Sequence, residues 1–153
     1  MSFISWSEDF SIGIDEIDEQ HKKLLRLINS LHQRLVAGDA NDIMGKVLDR
    51  VADYAEFHFS TEEQWMAQYS YPDTAQHIDE HRQFVVYITA LQNRLRNDQG
   101  GIAEATMAFL TDWLSRHILE ADMALGKYQH ATANPALPNV YSTVTYRTDA
   151  PVI

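Results

Sequence analysis

Four segments of this chain repeat large apolar residues at steps of three and four positions, and histidine lies on the apolar stripe of each segment. Such stripes predict amphipathic helices whose apolar faces pack together. A histidine on a buried face must hydrogen-bond or bind a metal, because burying an unpaired polar ring costs free energy. The histidines on the stripes are His21, His58, His77, His81 and His117.

The connections between the predicted helices are short. Gly38 is placed to end the first helix, and Pro72 fixes the turn between the second and the third. Short connections between helices of similar length predict an all-α fold, an antiparallel up-down-up-down four-helix bundle. The predicted helices cover about residues 18–37, 41–70, 74–99 and 102–129.

The segments that flank the helices differ from each other. Residues 1–17 hold too many large apolar groups for a loose arm, so we expect an N-terminal strap packed on the bundle. Residues 131–153 contain three prolines and a β-prone stretch, which predicts an irregular C-terminal extension outside a domain of residues 1–130. That extension is interpreted as an extended or frayed end, or alternatively as a docking segment for a partner.

Composition excludes several classes of function. A net charge of −10 opposes binding to nucleic acid and to anionic lipid, and the acidic excess is typical of a solvated surface. The absence of cysteine excludes thiolate catalysis and thiolate metal sites. No membrane span and no secretion signal is recognisable, so we expect a cytoplasmic protein. We also expect it to be a monomer.

The histidines stand at ligand spacings. His58 and Glu62 are four residues apart, about 40° around a helix axis, and His77 and His81 repeat that spacing. As alternatives, His58 and Glu62 form a helical ion pair, and His21 is a hydrogen-bonded core residue. His77 and His81 have no acid at a helical step within their stripe, so a metal explains them better.

The number of candidate ligands favours a site for two metal ions. Five imidazoles exceed what one four-coordinate zinc would use, whereas imidazoles with bridging carboxylates suit two adjacent irons. The Glu-x-x-His pairs of ferritin-like di-iron proteins are missing, since only Asp18 precedes His21 at that distance. A ferritin-like scheme therefore fits poorly.

Several motifs make the chain similar to the hemerythrin family, specifically to single-domain bacteriohemerythrins, over about residues 3–130. They are Trp6 and Phe10, the segment from Asp18 to His21 with its following leucines, His58-Phe59-Ser60-Thr61-Glu62, His77-Ile78-Asp79-Glu80-His81, and Trp113-Leu114-Ser115-Arg116-His117 followed by Asp122.

This resemblance implies a non-haem di-iron centre, bridged by an oxo or hydroxo group, that binds dioxygen reversibly. It implies that one iron is held by three histidines and that the iron binding dioxygen is held by two, with two bridging carboxylates. The implied ligands are His77, His81 and His117 for the first iron, His21 and His58 for the second, and Glu62 and Asp122 as bridges.

The resemblance and the helical period disagree at one position. Asp122 lies five residues beyond His117, about 140° around an ideal α-helix, whereas Glu120 at the three-residue step is better placed. We follow the family motif and predict a π-like widening near residues 117–122 that turns Asp122 inward.

Large apolar residues near the expected ligands predict a dry pocket for dioxygen, although plain bundle core explains them equally well. His32 and His130 match no ligand position and are interpreted as structural or surface residues. The pocket residues are Leu24, Leu25, Trp113, Leu114 and Ile118.

The favoured function is carriage, storage or delivery of dioxygen to an oxygen-consuming protein inside the cell. No nucleophile–base pair or phosphate-binding loop is evident, so no catalytic residue is assigned. Two alternatives use the same site: a di-iron oxidase or peroxidase, and a sensor of oxygen or iron acting through residues 131–153.

Overall fold

In the computed structural model, which describes residues 2–97 and 102–133, the regular structure of the described residues is helical. Each long helix packs against the next along the chain, and the last also packs against the first. This confirms the predicted four-helix bundle. The elements are a 3-10 turn (Glu8–Phe10), α1 (Asp15–Val36), α2 (Asn41–Gln68), α3 (Thr74–Arg96), α4 (Ile102–His117), a π-turn (Ile118–Asp122) and α5 (Met123–Ala133).

The fourth rod of the bundle is a composite. Helix α4, the π-turn and α5 follow one another without a break, so they form one long helix with a widened segment inside it. None of the helices in the described residues is long and apolar enough to cross a membrane.

Helix α1 begins three residues earlier than the apolar stripe predicted. Its first turn contains Asp15, Glu16 and Asp18, and negative charge there interacts favourably with the positive end of the helix dipole. Ile17 is fully buried four residues before His21, so it extends the same stripe toward the N-terminus. The helix ends at Val36, and Gly38 terminates it two residues later, as predicted, because its φ of 70° suits glycine.

Two side chains of α1 fix the segment that precedes the helix. Asn29 accepts a hydrogen bond from the backbone N–H of Ile4 at 3.0 Å and donates one to its carbonyl oxygen at 2.7 Å. The Asp18 carboxylate accepts from the Ser11 hydroxyl at 2.6 Å and from the N–H of Ile12 at 2.9 Å. The segment therefore packs on the bundle as a strap. The extension predicted for residues 131–153 lies outside the described residues from position 134 onward.

The strap touches α5 at Gly126. A Cβ atom added to this buried glycine would collide with the backbone oxygen of Ile12, whose side chain is only 3% exposed. Glycine at this position therefore allows the strap backbone to lie directly against the helix.

We expect Gly126→Ala to destabilise the protein by about 1–3 kcal/mol, because the new methyl group overpacks the seat of the strap. Gly45→Ala is the matched control, since its Cβ would meet only Leu95 at an ordinary 3.9 Å. Alanine favours a helix interior by up to about 1 kcal/mol over glycine, so the control should be neutral or stabilising. Urea denaturation of both variants would measure this, and equal stabilities would contradict it.

Candidate metal centre

Five histidines from all four rods of the bundle direct one ring nitrogen, Nε2, toward two carboxylates in the core. The carboxylates belong to Glu62 of α2 and Asp122 of the π-turn, and both side chains are fully buried. The histidines are at most 3% exposed: His21 on α1, His58 on α2, His77 and His81 on α3, and His117 on α4.

Glu62 divides its two oxygens between different histidines. Its Oε1 lies 3.2 Å from Nε2 of His58 and 3.7 Å from Nε2 of His21. Its Oε2 lies 3.3 Å from Nε2 of His77 and 3.1 Å from Nε2 of His81. Each oxygen of the Glu62 carboxylate thus faces a different pair of histidines.

Asp122 makes the same division from the opposite rod. Its Oδ2 lies 3.1 Å from Nε2 of His21, whereas its Oδ1 lies 3.1 Å from Nε2 of His77 and of His117. The site therefore has a two-histidine half and a three-histidine half, and both carboxylates contribute one oxygen to each half.

The donors of this site fit a pair of cations. Several buried atoms of the site lie close together, yet none of them has a hydrogen-bond partner among the described residues. They are Nε2 of His21 and His58, Oε1 of Glu62 and both oxygens of Asp122. In the other half, Nε2 of His81 lies only 3.2 Å from Nε2 of His117. Buried polar atoms without a hydrogen-bond partner are costly in free energy. Nitrogen and oxygen ligand atoms without thiolate suit iron.

The ligand atoms form two overlapping groups. Within each group, all ligand atoms lie within 4.8 Å of one another, which is the spread expected of ligands around one ion. Glu62 belongs to both groups. The cluster can therefore hold two metal ions with a shared carboxylate. The groups are Glu62, His77, His81 and His117, and His21, His58, Glu62 and Asp122.

The predicted π-like widening is confirmed, because Ile118–Asp122 forms a π-helical turn. A π-turn closes its hydrogen bonds over five residues instead of four, which brings Asp122 onto the face of His117. Glu120, the better candidate on an ideal α-helix, is instead exposed and lines a surface cavity.

Without a metal, the two carboxylates favour protonation of the histidines around them. Burial opposes charge on His21 and His77, but Asp122 and Glu62 outweigh it and raise their pKa values from 6.5 to about 9 and about 10. The pKa of His117 is raised for the same reason. Burial opposes ionisation of Glu62 and Asp122, but the surrounding histidines hold their pKa values below the ordinary range.

A small apolar cavity of about 10 Å³ lies beside the site, close to the least volume that one water-sized molecule needs. Two of its aromatic walls stack on site histidines: Phe59 on His81 at 4.0 Å and Trp113 on His117 at 4.4 Å between ring centroids. The lining residues are Leu24, Ile28, Val51, Ala55, Phe59, Phe84, Leu110, Trp113 and Leu114.

The cavity includes three of the five residues predicted for a dry pocket, namely Leu24, Trp113 and Leu114. Leu25 and Ile118 are buried core residues that do not line it. The two remaining histidines lie apart from the site. His32 stacks on Phe3 of the strap at 4.2 Å between ring centroids, and His130 is exposed.

Sequence reasoning missed three polar residues that contact the outer nitrogens of site histidines. They are Gln20 beside His58, Glu63 beside His81 and Glu80 beside His117. Each stands next in sequence to a predicted ligand on its own helix but contacts a ligand on another helix. The sequence signal for these three residues was their position next to a predicted ligand. That position does not indicate which ligand on another helix each residue contacts.

Comparisons with known proteins identify relatives over most of the chain. A family model described as the hemerythrin HHE cation binding domain matches residues 12–128. The chain is 32% identical to a bacteriohemerythrin of Methylococcus capsulatus, covering 82% of this chain and 96% of that protein. It is 33% identical to a bacteriohemerythrin of Stenotrophomonas maltophilia, covering 88% and 86%. A crystal structure of a wild-type hemerythrin is similar with a TM-score of 0.77 and 31% identity, covering 82% and 97%.

We expect the metal-free protein to lose stability as the pH rises above neutral. The raised pKa values of His21 and His77 mean that protonation favours the folded state; this stabilisation is complete below pH 6.5 and is lost as the pH rises through about 9 and 10. Thermal melting of chelator-treated protein between pH 6.5 and 10 measures the loss. His21→Gln should weaken this dependence, and an identical pH profile in that variant would argue against it.

We also expect Asp122→Asn to bind fewer than two irons per chain. The amide keeps the shape of the side chain but offers a single oxygen acceptor, so it cannot bridge two ions. Glu120→Gln is the control, because it removes a nearby charge outside the cluster. Iron would be counted after anaerobic loading and desalting, and two irons in Asp122→Asn would contradict the bridging role.

Proposed function

The chain belongs to the hemerythrin family, and from that premise we propose that it binds dioxygen reversibly at a non-haem di-iron centre, as a binding protein rather than an enzyme. The proposed ligands are the residues that the core brings together. They are His21, His58, Glu62, His77, His81, His117 and Asp122.

The observation that carries this proposal is the unequal division of the donors. Each carboxylate directs one oxygen to each half. The half of His21 and His58 therefore has four protein ligand atoms, whereas the half of three histidines has five. An ion in the two-histidine half therefore has one position fewer filled by protein. That difference supports assigning the dioxygen-binding position to this half.

A pair of ferrous irons in this cluster would supply two electrons and an open coordination position for dioxygen. The protein itself must orient the ligands and exclude water. His21 and His58 are fully buried, so bulk water has no direct contact with either ring. The adjacent apolar cavity of about 10 Å³ is close to the least volume that holds one water-sized molecule and leaves no room for a large substrate, which supports binding rather than turnover.

The cellular role that we propose is carriage, storage or delivery of dioxygen in the cytoplasm, by a monomer, for an oxygen-consuming protein. Two features of the site support such a role. The ligands lie in the bundle core, and the cavity beside them is lined by apolar side chains, which favours a small uncharged molecule.

The proposal is tested by loading the purified protein with ferrous iron under argon and following visible absorption through cycles of air and argon. We expect two irons per chain and a coloured form that appears in air and disappears under argon. Irreversible oxidation at the first exposure, with no return of the original spectrum under argon, would contradict reversible binding.

We expect Leu114→Ala and Trp113→Ala to shorten the lifetime of the coloured form several-fold, because each opens the dry cavity wall to water. Leu95→Ala is a control, since Leu95 is buried outside this cavity. Leu→Ala in a core costs about 2–5 kcal/mol in either place, so general destabilisation would affect both leucine variants. An unchanged lifetime in Leu114→Ala and Trp113→Ala would count against a gating role.

A further inference from the structure

The outer nitrogens of the site histidines, Nδ1, are supported differently in the two halves of the cluster. In the three-histidine half, Nδ1–H of His81 donates to Oε1 of Glu63 at 3.1 Å, and Nδ1–H of His117 donates to Oε2 of Glu80 at 2.7 Å. In the two-histidine half, the partner of His58 is the neutral amide of Gln20 at 3.0 Å.

The direction of the Gln20 hydrogen bond follows from its neighbours. The Thr61 hydroxyl donates to the carbonyl oxygen of Phe57 at 3.2 Å, so its own oxygen accepts from the Gln20 amide N–H at 3.2 Å. The amide oxygen of Gln20 therefore faces His58 and accepts from its Nδ1–H. This fixes the tautomer of His58 that leaves Nε2 free to bind a cation.

Among the described residues, only the three-histidine half has carboxylates bonded to the outer nitrogens of its histidines. Each half also contains one histidine, His21 or His77, whose Nδ1 has no partner among the described residues. The two halves therefore differ in the Nδ1 partners of their remaining histidines, which are His58 in one half and His81 and His117 in the other. Glu63 and Glu80 are 38% and 36% exposed at the side chain, so each has water on one side and an imidazole N–H on the other.

A carboxylate that accepts from a ligand imidazole fixes the orientation of the ring and raises its basicity. A more basic imidazole donates more electron density to its metal and so stabilises the higher oxidation state. The 2.7 Å bond from His117 to Glu80 has the length of a charge-assisted hydrogen bond, and it should be the stronger of the two.

We propose that Glu63 and Glu80 are positioning residues that make the three-histidine half the more electron-donating half of the cluster, while Gln20 gives His58 of the two-histidine half an uncharged partner. This inference rests on the proposed di-iron function. The consequence is an ordered pair of sites: the iron of the three-histidine half holds the ferric state at a lower potential than its neighbour.

The test is a reductive titration of the iron-loaded protein under argon, with redox mediators as the electron source and absorption as the readout. Glu80→Gln and Glu63→Gln keep an acceptor oxygen but remove its charge. We expect Glu80→Gln to raise the ferrous-to-ferric ratio at a fixed potential about tenfold, which is about 59 mV for a one-electron couple, and Glu63→Gln to raise it less.

Glu120→Gln is the matched control. Glu120 lines the same two surface cavities as Glu80 but is not part of the metal cluster, so this variant removes a nearby charge without removing support from a ligand. A shift in Glu120→Gln as large as the one in Glu80→Gln would overturn the inference, because general charge would then explain it.

Gln20→Glu tests the inference in the opposite direction, since it adds a carboxylate beside His58 in the two-histidine half and should lower the potential there. Its result does not depend on whether the two glutamine variants load fully. Loss of iron from Glu63→Gln or Glu80→Gln, with two irons retained by Glu120→Gln, would support the positioning role. Unchanged potential in Gln20→Glu and in both glutamine variants at full loading would overturn it.

A second readout separates ligand support from stability. Proton NMR of the iron-loaded protein in H₂O and D₂O should show exchangeable imidazole N–H signals, and the one from His117 should shift in Glu80→Gln. Because neither measurement involves dioxygen, failure of the wild-type protein to bind dioxygen reversibly would contradict the proposed function and leave this inference to be decided separately.

Discussion

Two ionised carboxylates enclosed by five imidazoles, in the middle of an apolar bundle, are the constraint on which the rest of the structure depends. Glu62 and Asp122 are fully buried, and an uncompensated buried charge costs several kcal/mol. Compensation requires positive charge within about 4 Å, as protons on the histidines or as metal ions. The four rods must therefore be held at one rotation and one spacing, which is what their apolar stripes accomplish.

The unequal halves of the cluster follow from how the rods supply their ligands. Helix α3 contributes two histidines one turn apart, whereas α1, α2 and α4 contribute one each. Glu62 and Asp122 come from rods on different sides and so can face both halves. Aromatic side chains cover the three-histidine half, with Phe59 and Trp113 lying flat on two of its rings. Ligand geometry and the dry cavity are thus built from the same side chains.

Most of the fold was predictable because the apolar stripes are dense and the connections are short. The histidines were recognisable because they lie on those stripes. Step counting failed where backbone geometry departs from an ideal helix: it favoured Glu120, and only the family motif pointed to Asp122. It also started α1 too late, because it ignored the acidic first turn. Gln20, Glu63 and Glu80 were not predicted, since pairing across helices depends on rotations that a single sequence does not reveal.

The π-turn has a consequence for the lengths that such chains can have. Its wider turn takes five residues over about the rotation that four residues complete in an α-helix. This segment could therefore lose one residue and become an ordinary helix without rotating α5, whereas an α-helix of the same length would rotate α5 by about 100°. Gly126 would then leave its place beneath Ile12, and Tyr128 would lose its hydrogen bond to the carbonyl of Tyr69. The metal centre and the seat of the strap thus share one helical register, and that register depends on matching the number of residues in this segment to the width of its turn.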